Sequence, residues 1–159
     1  MVLPATVKAG QVAFDWCYQF IRPVPKKTGE AWTAGQTVVA NATNGNFEKT
    51  TSQKQVGKKG IVIYDALSAD DIGTIAFAPA IIYSQYLPAA ALKNFSLVQT
   101  SATVGGWEAK TADAAYADLI HTVAFAQVMG KAGQGMGSGQ GFNDFTDIAQ
   151  NEIVRLQLQ

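Results

Sequence analysis

From Val12 to Ile21 the chain alternates. Val12, Phe14, Trp16, Tyr18 and Phe20 face one way, with Ala13, Asp15, Cys17, Gln19 and Ile21 opposite. Successive side chains of a strand point to opposite faces, so period two over ten residues predicts a half-buried β-strand. Pro23 and Pro25 in "RPVPKKTGE" should break it, because proline cannot donate to a ladder and favours an extended, unpaired path. A strand is predicted around Thr37 to Ala40, then a turn at Asn44-Gly45 and a return strand through Phe47. Asn-Gly between extended runs is a strong hairpin signal, since both residues tolerate positive φ. After a "VGKKG" turn, "GIVIYDAL" reads as another strand, "SADD" as a turn, and "IGTIAFAPAIIYSQYL" as one or two more strands. The last segment, "NEIVRLQLQ", sets Ile153, Arg155 and Gln157 against Val154, Leu156 and Leu158: a final strand with one apolar face.

Two stretches nearly repeat each other, "ATNGNFEKT" from Ala42 and "ATVGGWEAKT" from Ala102. Aligned, Val38-Val39 matches Leu97-Val98, Gly45 matches Gly105, Phe47 matches Trp107, and Lys49-Thr50 matches Lys110-Thr111. Further along, Ile61 to Tyr64 answers roughly to Thr122 to Phe125. The shared unit is strand, glycine turn, aromatic-bearing strand, polar connection, apolar strand. Such a repeat places Phe47 and Trp107 at equivalent core positions.

Two alanine-rich runs, "LPAAALKNF" and "TADAAYADLIH", carry helical propensity and predict one or two short helices. The stretch "GKAGQGMGSGQGFNDF" is too rich in glycine to pack as sheet or helix and reads as a loop or arm. The fold expected is mainly β: a small antiparallel β-barrel or sandwich with an internal two-fold repeat, one or two short helices and a Gly-rich loop. Residues 1–159 form a single compact domain in this reading, built of two β subunits, about 10–86 and 94–159, packed together.

Composition narrows the function classes. Twelve basic residues balance twelve acidic ones, so no net field attracts a polyanion, and nucleic acid is not an expected partner. Cys17 stands alone, which excludes an internal disulfide. No stretch approaches a membrane span, and the start lacks the apolar run of a secretory signal, so no membrane partner is expected. Only 15% of the residues are charged, and a weakly charged, neutral surface suits an oligomer or a larger assembly.

Candidate chemistry is sparse. The glycine-rich run lacks the P-loop pattern, because Gly135 is followed by Met136-Gly137 where Lys and Ser or Thr are required. His121 has no second imidazole and no Ser or Cys motif beside it, which favours a structural role. Cys17 reads as a small buried thiol. Asp70-Asp71 fits an Asx turn better than a carboxylate pair, and Asp144 and Asp147 fit caps and turns. Lys26-Lys27 and Lys58-Lys59 fall in turns, where solvated charge is expected. No enzyme activity, cofactor, metal or catalytic residue is predicted. Trp16 and Trp107 read as core anchors; Trp32, which precedes its strand, is the best candidate for an interface aromatic, or for a sugar-stacking platform.

The segment "GEAWTAGQTVVANATNGNFEKT…GKKGIVIYDAL…DIGTIAFA" resembles the head decoration proteins of tailed phages. The resemblance rests on Trp32, Gly35, Val38, Gly45, Phe47, Gly60 and Ile61 to Ile63, and covers about the first 80 residues. "VKAGQVAFD" is also similar to that family's N-terminal segment, which implies an arm lying on the capsid lattice. The resemblance implies a structural virion protein on the capsid surface, assembled in the host cytoplasm. It would bind the outer lattice of the major capsid protein, or other virion subunits, and stabilise it as a homo-oligomer, a trimer favoured. Partner-binding residues expected on this view are Trp32, Val2, Leu3, Pro4, Gly133, Gly135, Met136 and Gly137. The alternative is a carbohydrate-binding or receptor-binding β module of a virion or secreted protein, using Trp32.

Overall fold

The computed structural model describes residues 20–93, 95–110, 124–131 and 148–159. These residues form ten strands: β1 (Ile21–Pro25), β2 (Thr37–Ala40), β3 (Phe47–Lys49), β4 (Lys59–Val62), β5 (Ile72–Ala76), β6 (Ile81–Gln85), β7 (Leu97–Thr100), β8 (Trp107–Ala109), β9 (Ala126–Lys131) and β10 (Ile153–Leu158). They make two antiparallel five-stranded sheets, in the orders β1-β5-β4-β2-β3 and β6-β10-β9-β7-β8. The second order is the first with five added to every label. Most of these strands are short and carry Val, Ile or Thr, residues whose branched side chains suit a pleated surface.

The ladder registers fix the repeat residue by residue. Ile21 pairs with Ala76 as Ile81 pairs with Gln157. Ala40 pairs with Phe47 as Thr100 pairs with Trp107. Positions 21, 40 and 47 thus answer to 81, 100 and 107, a constant step of 60 residues. Val38 therefore matches Val98, one place on from the sequence alignment, since both occupy the same register against Lys49 and Ala109. Gly60 opposite Val38 answers to Ala126 opposite Val98, a step of 66. Ile75 opposite Val62 answers to Leu156 opposite Val128, a step of 81. The expected match of Ile61 to Tyr64 with Thr122 to Phe125 is corrected accordingly: β4 corresponds to residues 125–128. The extra length of the second copy sits in its β8–β9 and β9–β10 connections, and the latter contains the glycine-rich run.

Four further expectations change. Among the described residues the sheets are open, each with two edge strands, and no barrel closes. No helix occurs among the described residues. Within "LPAAALKNF", Leu92 exchanges backbone hydrogen bonds with Ile148 at 3.0 and 2.7 Å and is fully buried, so tertiary pairing overrides alanine's local preference. "TADAAYADLIH" lies outside the described residues, as does the alternating run before Phe20. Pro23 and Pro25 do not interrupt pairing: both lie within β1, which among the described residues is an edge strand laddered to β5 alone, where a missing N–H costs no ladder bond on the outer side. Finally, β6 joins the second sheet, so the sheets divide between Ala76 and Ile81 rather than after residue 86.

Each sheet has its own apolar cluster. Val24, Trp32, Val38, Phe47, Val62, Ala66, Ile75 and Phe77 gather on one face of the first. On the second, Leu92, Val98, Trp107, Val128, Ile148, Val154, Leu156 and Leu158 do the same, and this cluster also takes in Ile61 and Ala76 from the opposite face of the first sheet. Val154, Leu156 and Leu158 are the apolar face foreseen for the terminal strand.

Candidate functional site

The hairpin tips are built alike. Asn41 accepts a hydrogen bond from the Thr43 N–H through its side chain, and Ser101 does so from Thr103. Gly45 and Gly105 follow at φ 76° and 68°, a region that glycine enters without steric cost. Their surroundings differ. Gly45 and its neighbours stand exposed, whereas Gly105 and Gly106 are buried against the first sheet.

This buried tip anchors the seam between the halves. The Thr37 N–H donates to the Gly105 carbonyl at 2.8 Å and the Gly105 N–H to the Thr50 carbonyl at 2.7 Å, so the glycine slots between the ends of β2 and β3. Beside it, the Thr100 hydroxyl donates to the Ser52 carbonyl and accepts from the Gln55 N–H, while the Gln53 amide reaches the Glu108 carboxylate at 2.6 Å. Ser84 closes the other side: its hydroxyl accepts from the Trp107 indole at 3.1 Å and donates to the Gly35 carbonyl at 3.3 Å.

At the far end of the seam a cleft of about 370 Å³ is lined by Phe20, Arg22, Lys58, Lys59, Phe77 and Phe125, among others. The Lys58 ammonium lies 4.7 Å from the centre of the Phe77 ring, a cation–π contact. Partial burial pushes the Lys59 ammonium below the ordinary lysine range. Outside this cleft, Val56, Tyr64, Leu67, Ile72, Ile81 and Tyr83 are the most exposed large apolar side chains among the described residues. Such residues supply contact area rather than reactive groups.

The structure corrects two readings of named side chains. Trp32 is only 2% exposed, exchanges backbone hydrogen bonds with Ala66, and donates its indole N–H to Glu30 at 2.9 Å. Its counterpart sixty residues on is Leu92, bonded to Ile148 in the same way. A position held by Leu in one copy and Trp in the other is a core position, so Trp32 offers no free ring to a partner or a sugar. Lys26 is the second correction: its side chain is buried and donates to the Glu30 carbonyl at 2.6 Å. Lys27 points outward to Glu48 at 3.1 Å, and that hydrogen bond holds its ammonium above the ordinary range. Asp70 bonds the local backbone as expected, but its carboxylate accepts from the Leu67 N–H three residues earlier rather than from a residue two places on, so the bond is not that of an Asx turn. Val2, Leu3, Pro4, Cys17, His121, Gly133, Gly135, Met136 and Gly137 lie outside the described residues. The seam itself escaped the sequence reading, although the unequal burial of two like-sounding glycine turns is what defines it.

Residues 18–78 match the family model of the phage cement proteins. The matched span runs from just before β1 to just past β5, so it is the first sheet in its entirety. It is also the segment that carries the resemblance to phage head decoration proteins. The cement protein family points to a structural protein associated with the phage capsid. No curated protein matches the chain. The second sheet lies beyond the matched span and repeats the strand order of the first.

Proposed function

We propose that the protein is a capsid cement: it binds the outer surface of a phage capsid lattice and stabilises the shell by bridging neighbouring subunits. The observation that carries this reading is the match of the whole first sheet to the phage cement family. The surface supports it, since exposed apolar side chains such as Tyr64, Leu67 and Ile72 on a weakly charged molecule suit protein contacts. Contacts of modest strength to several neighbours become tight together, because each bound site raises the effective concentration of the next. On this reading the protein is not an enzyme, takes no cofactor, and acts as a homo-oligomer at a symmetry position of the lattice. Val2, Leu3 and Pro4, near the start of the sequence, and Gly133, Gly135, Met136 and Gly137 of the glycine-rich stretch are its proposed lattice contacts.

The test is sedimentation of the purified protein with empty shells assembled from the major capsid protein of the same phage. Saturable co-sedimentation and a higher disruption temperature of the decorated shells are expected. Shells that pellet without the protein at every ratio would overturn the proposal.

A further inference from the structure

The seam is one-sided. Several residues that the second copy covers on the first have equivalents on the second copy that are less covered. Thr37 is fully buried under Gly105, whereas its counterpart Leu97 is half-buried. Ile61 and Ala76 are buried in the second cluster; their counterparts Gln127 and Gln157 are only partly covered. Gly35 packs against Ser84, while Phe95, which stands in its place at a similar positive φ and makes the same backbone hydrogen bond to the facing strand, is 47% exposed. On the other partner, Gly105 is buried and Gly45 has nothing near the position a Cβ would take.

A contact that joins two different surfaces of two like units is heterologous, and it leaves one unused example of each surface on the pair. Here these are the exposed tip Asn41–Asn46 and the outer face of the second sheet around Leu97, Gln127 and Gln157. On that face Ile81 and Tyr83 add apolar side chains that are 57% and 62% exposed.

We propose that the two unused surfaces bind each other between chains, so that the protein self-associates head to tail through a contact that repeats its internal seam. Gly45 of one chain seats over Leu97 of the next, as Gly105 seats over Thr37. Glutamines at 127 and 157, where the seam has Ile61 and Ala76, make this contact more polar than the internal one and suited to a reversible interface. The inference supplies a contact for the oligomer proposed above and draws nothing from capsid binding.

Crosslinking tests it on the full chain with Cys17→Ser as background. A Cβ at Gly105 would stand 3.2 Å from the Gln36 Cβ, slightly inside the roughly 3.5–4.5 Å Cβ spacing of a disulfide. The equivalent intermolecular pair is Gly45→Cys on one chain and Ser96→Cys on another; Asn44→Cys, free of the positive-φ constraint, serves if Gly45→Cys folds poorly. The single chain carrying Gln36→Cys and Gly105→Cys is the positive control. Under mild oxidation the mixture should form the mixed disulfide at least tenfold faster than either chain alone forms a homodimer, and light scattering of the wild type should show multiples of 16.9 kDa. Homodimers of Ser96→Cys forming as fast as the mixed species would show a symmetric interface and overturn the proposal. So would a wild type that stays monomeric up to its solubility limit, or a control that closes while the mixture does not.

Discussion

Gly73 lies directly beneath the Trp32 ring, so close that a Cβ there would overlap the six-membered part of the indole. In the second copy the same two positions hold Val154, opposite Ser84 as Gly73 is opposite Val24, and Leu92. One copy pairs a large side chain with none, the other two of middling size, and both fill the space between sheet and covering segment. Gly73→Val alone should cost about 3 kcal/mol by overpacking, and Trp32→Leu alone roughly 2–4 kcal/mol through the cavity it leaves. Combined, the two should recover a coupling of about 1–3 kcal/mol. Urea unfolding of the four proteins measures it, and strictly additive costs would refute the compensation.

Several parts of this architecture are legible in the chain itself. The period-two pattern of "NEIVRLQLQ", the hairpin around Asn44-Gly45 and the echo of Phe47 in Trp107 each depend on short-range chemistry, and each sits as read. What failed to show was long-range. Leu92 is drawn out of an alanine-rich helical pattern by Ile148, fifty-six residues away, and Lys26 is drawn inward although lysine is ordinarily a surface residue. Trp32 read as surface because its local sequence constrains nothing; only alignment with Leu92 reveals it as core. The seam is least legible of all, since Gly45 and Gly105 share turn chemistry and differ solely in what lies opposite.

Lys26 and Tyr86 offer a test of equivalence by transplantation. Lys26 donates through its ammonium to the Glu30 carbonyl at 2.6 Å, and Tyr86 through its hydroxyl to the Ala90 carbonyl at 2.7 Å, sixty residues on at both ends. Burial, with the charge of Glu108 adding to it, pushes the Tyr86 hydroxyl above the usual tyrosine range, so it remains a donor at neutral pH. Lys26→Ala leaves the carbonyl without its donor, at a cost of about 1–3 kcal/mol, and Lys26→Tyr restores one. Thermal or urea unfolding should therefore rank wild type, then Lys26→Tyr, then Lys26→Ala. Equal losses for both variants would mean that the shared hydrogen bond does not define the position.

The glycine turns predict unequal responses to the same substitution. Gly45→Ala meets open space, so its cost is the left-handed backbone alone, about 1–2 kcal/mol. Gly105→Ala carries that cost and also presses its methyl on the Gln36 side chain at 3.2 Å, against the two hydrogen bonds that hold the tip between Thr37 and Thr50. It should destabilise measurably more than Gly45→Ala. It should also raise amide exchange at Thr37 by at least tenfold, which Gly45→Ala should not. Matching losses, with Thr37 protected in both, would contradict a seam pinned at Gly105.

Glu152 supplies a pH dependence whose sign is fixed by its partners. Its carboxylate accepts from the Lys131 ammonium at 2.9 Å and from the Ala149 N–H at 2.6 Å, and these hydrogen bonds, the lysine's foremost, hold it below the ordinary glutamate range. The unfolded chain then binds the proton more readily than the folded one. The carboxylate's contribution is complete above the unfolded pKa and disappears as pH falls through the folded one. Glu152→Gln removes it, so the gap in urea midpoint between wild type and variant should be widest at neutral pH and should close on acidification below the ordinary glutamate range. Added salt should narrow the neutral-pH gap only in part, because it screens the exposed lysine pair and leaves the backbone hydrogen bond in place. A gap that stays constant from neutral to acid pH would show that the glutamate acts through packing rather than through its charge.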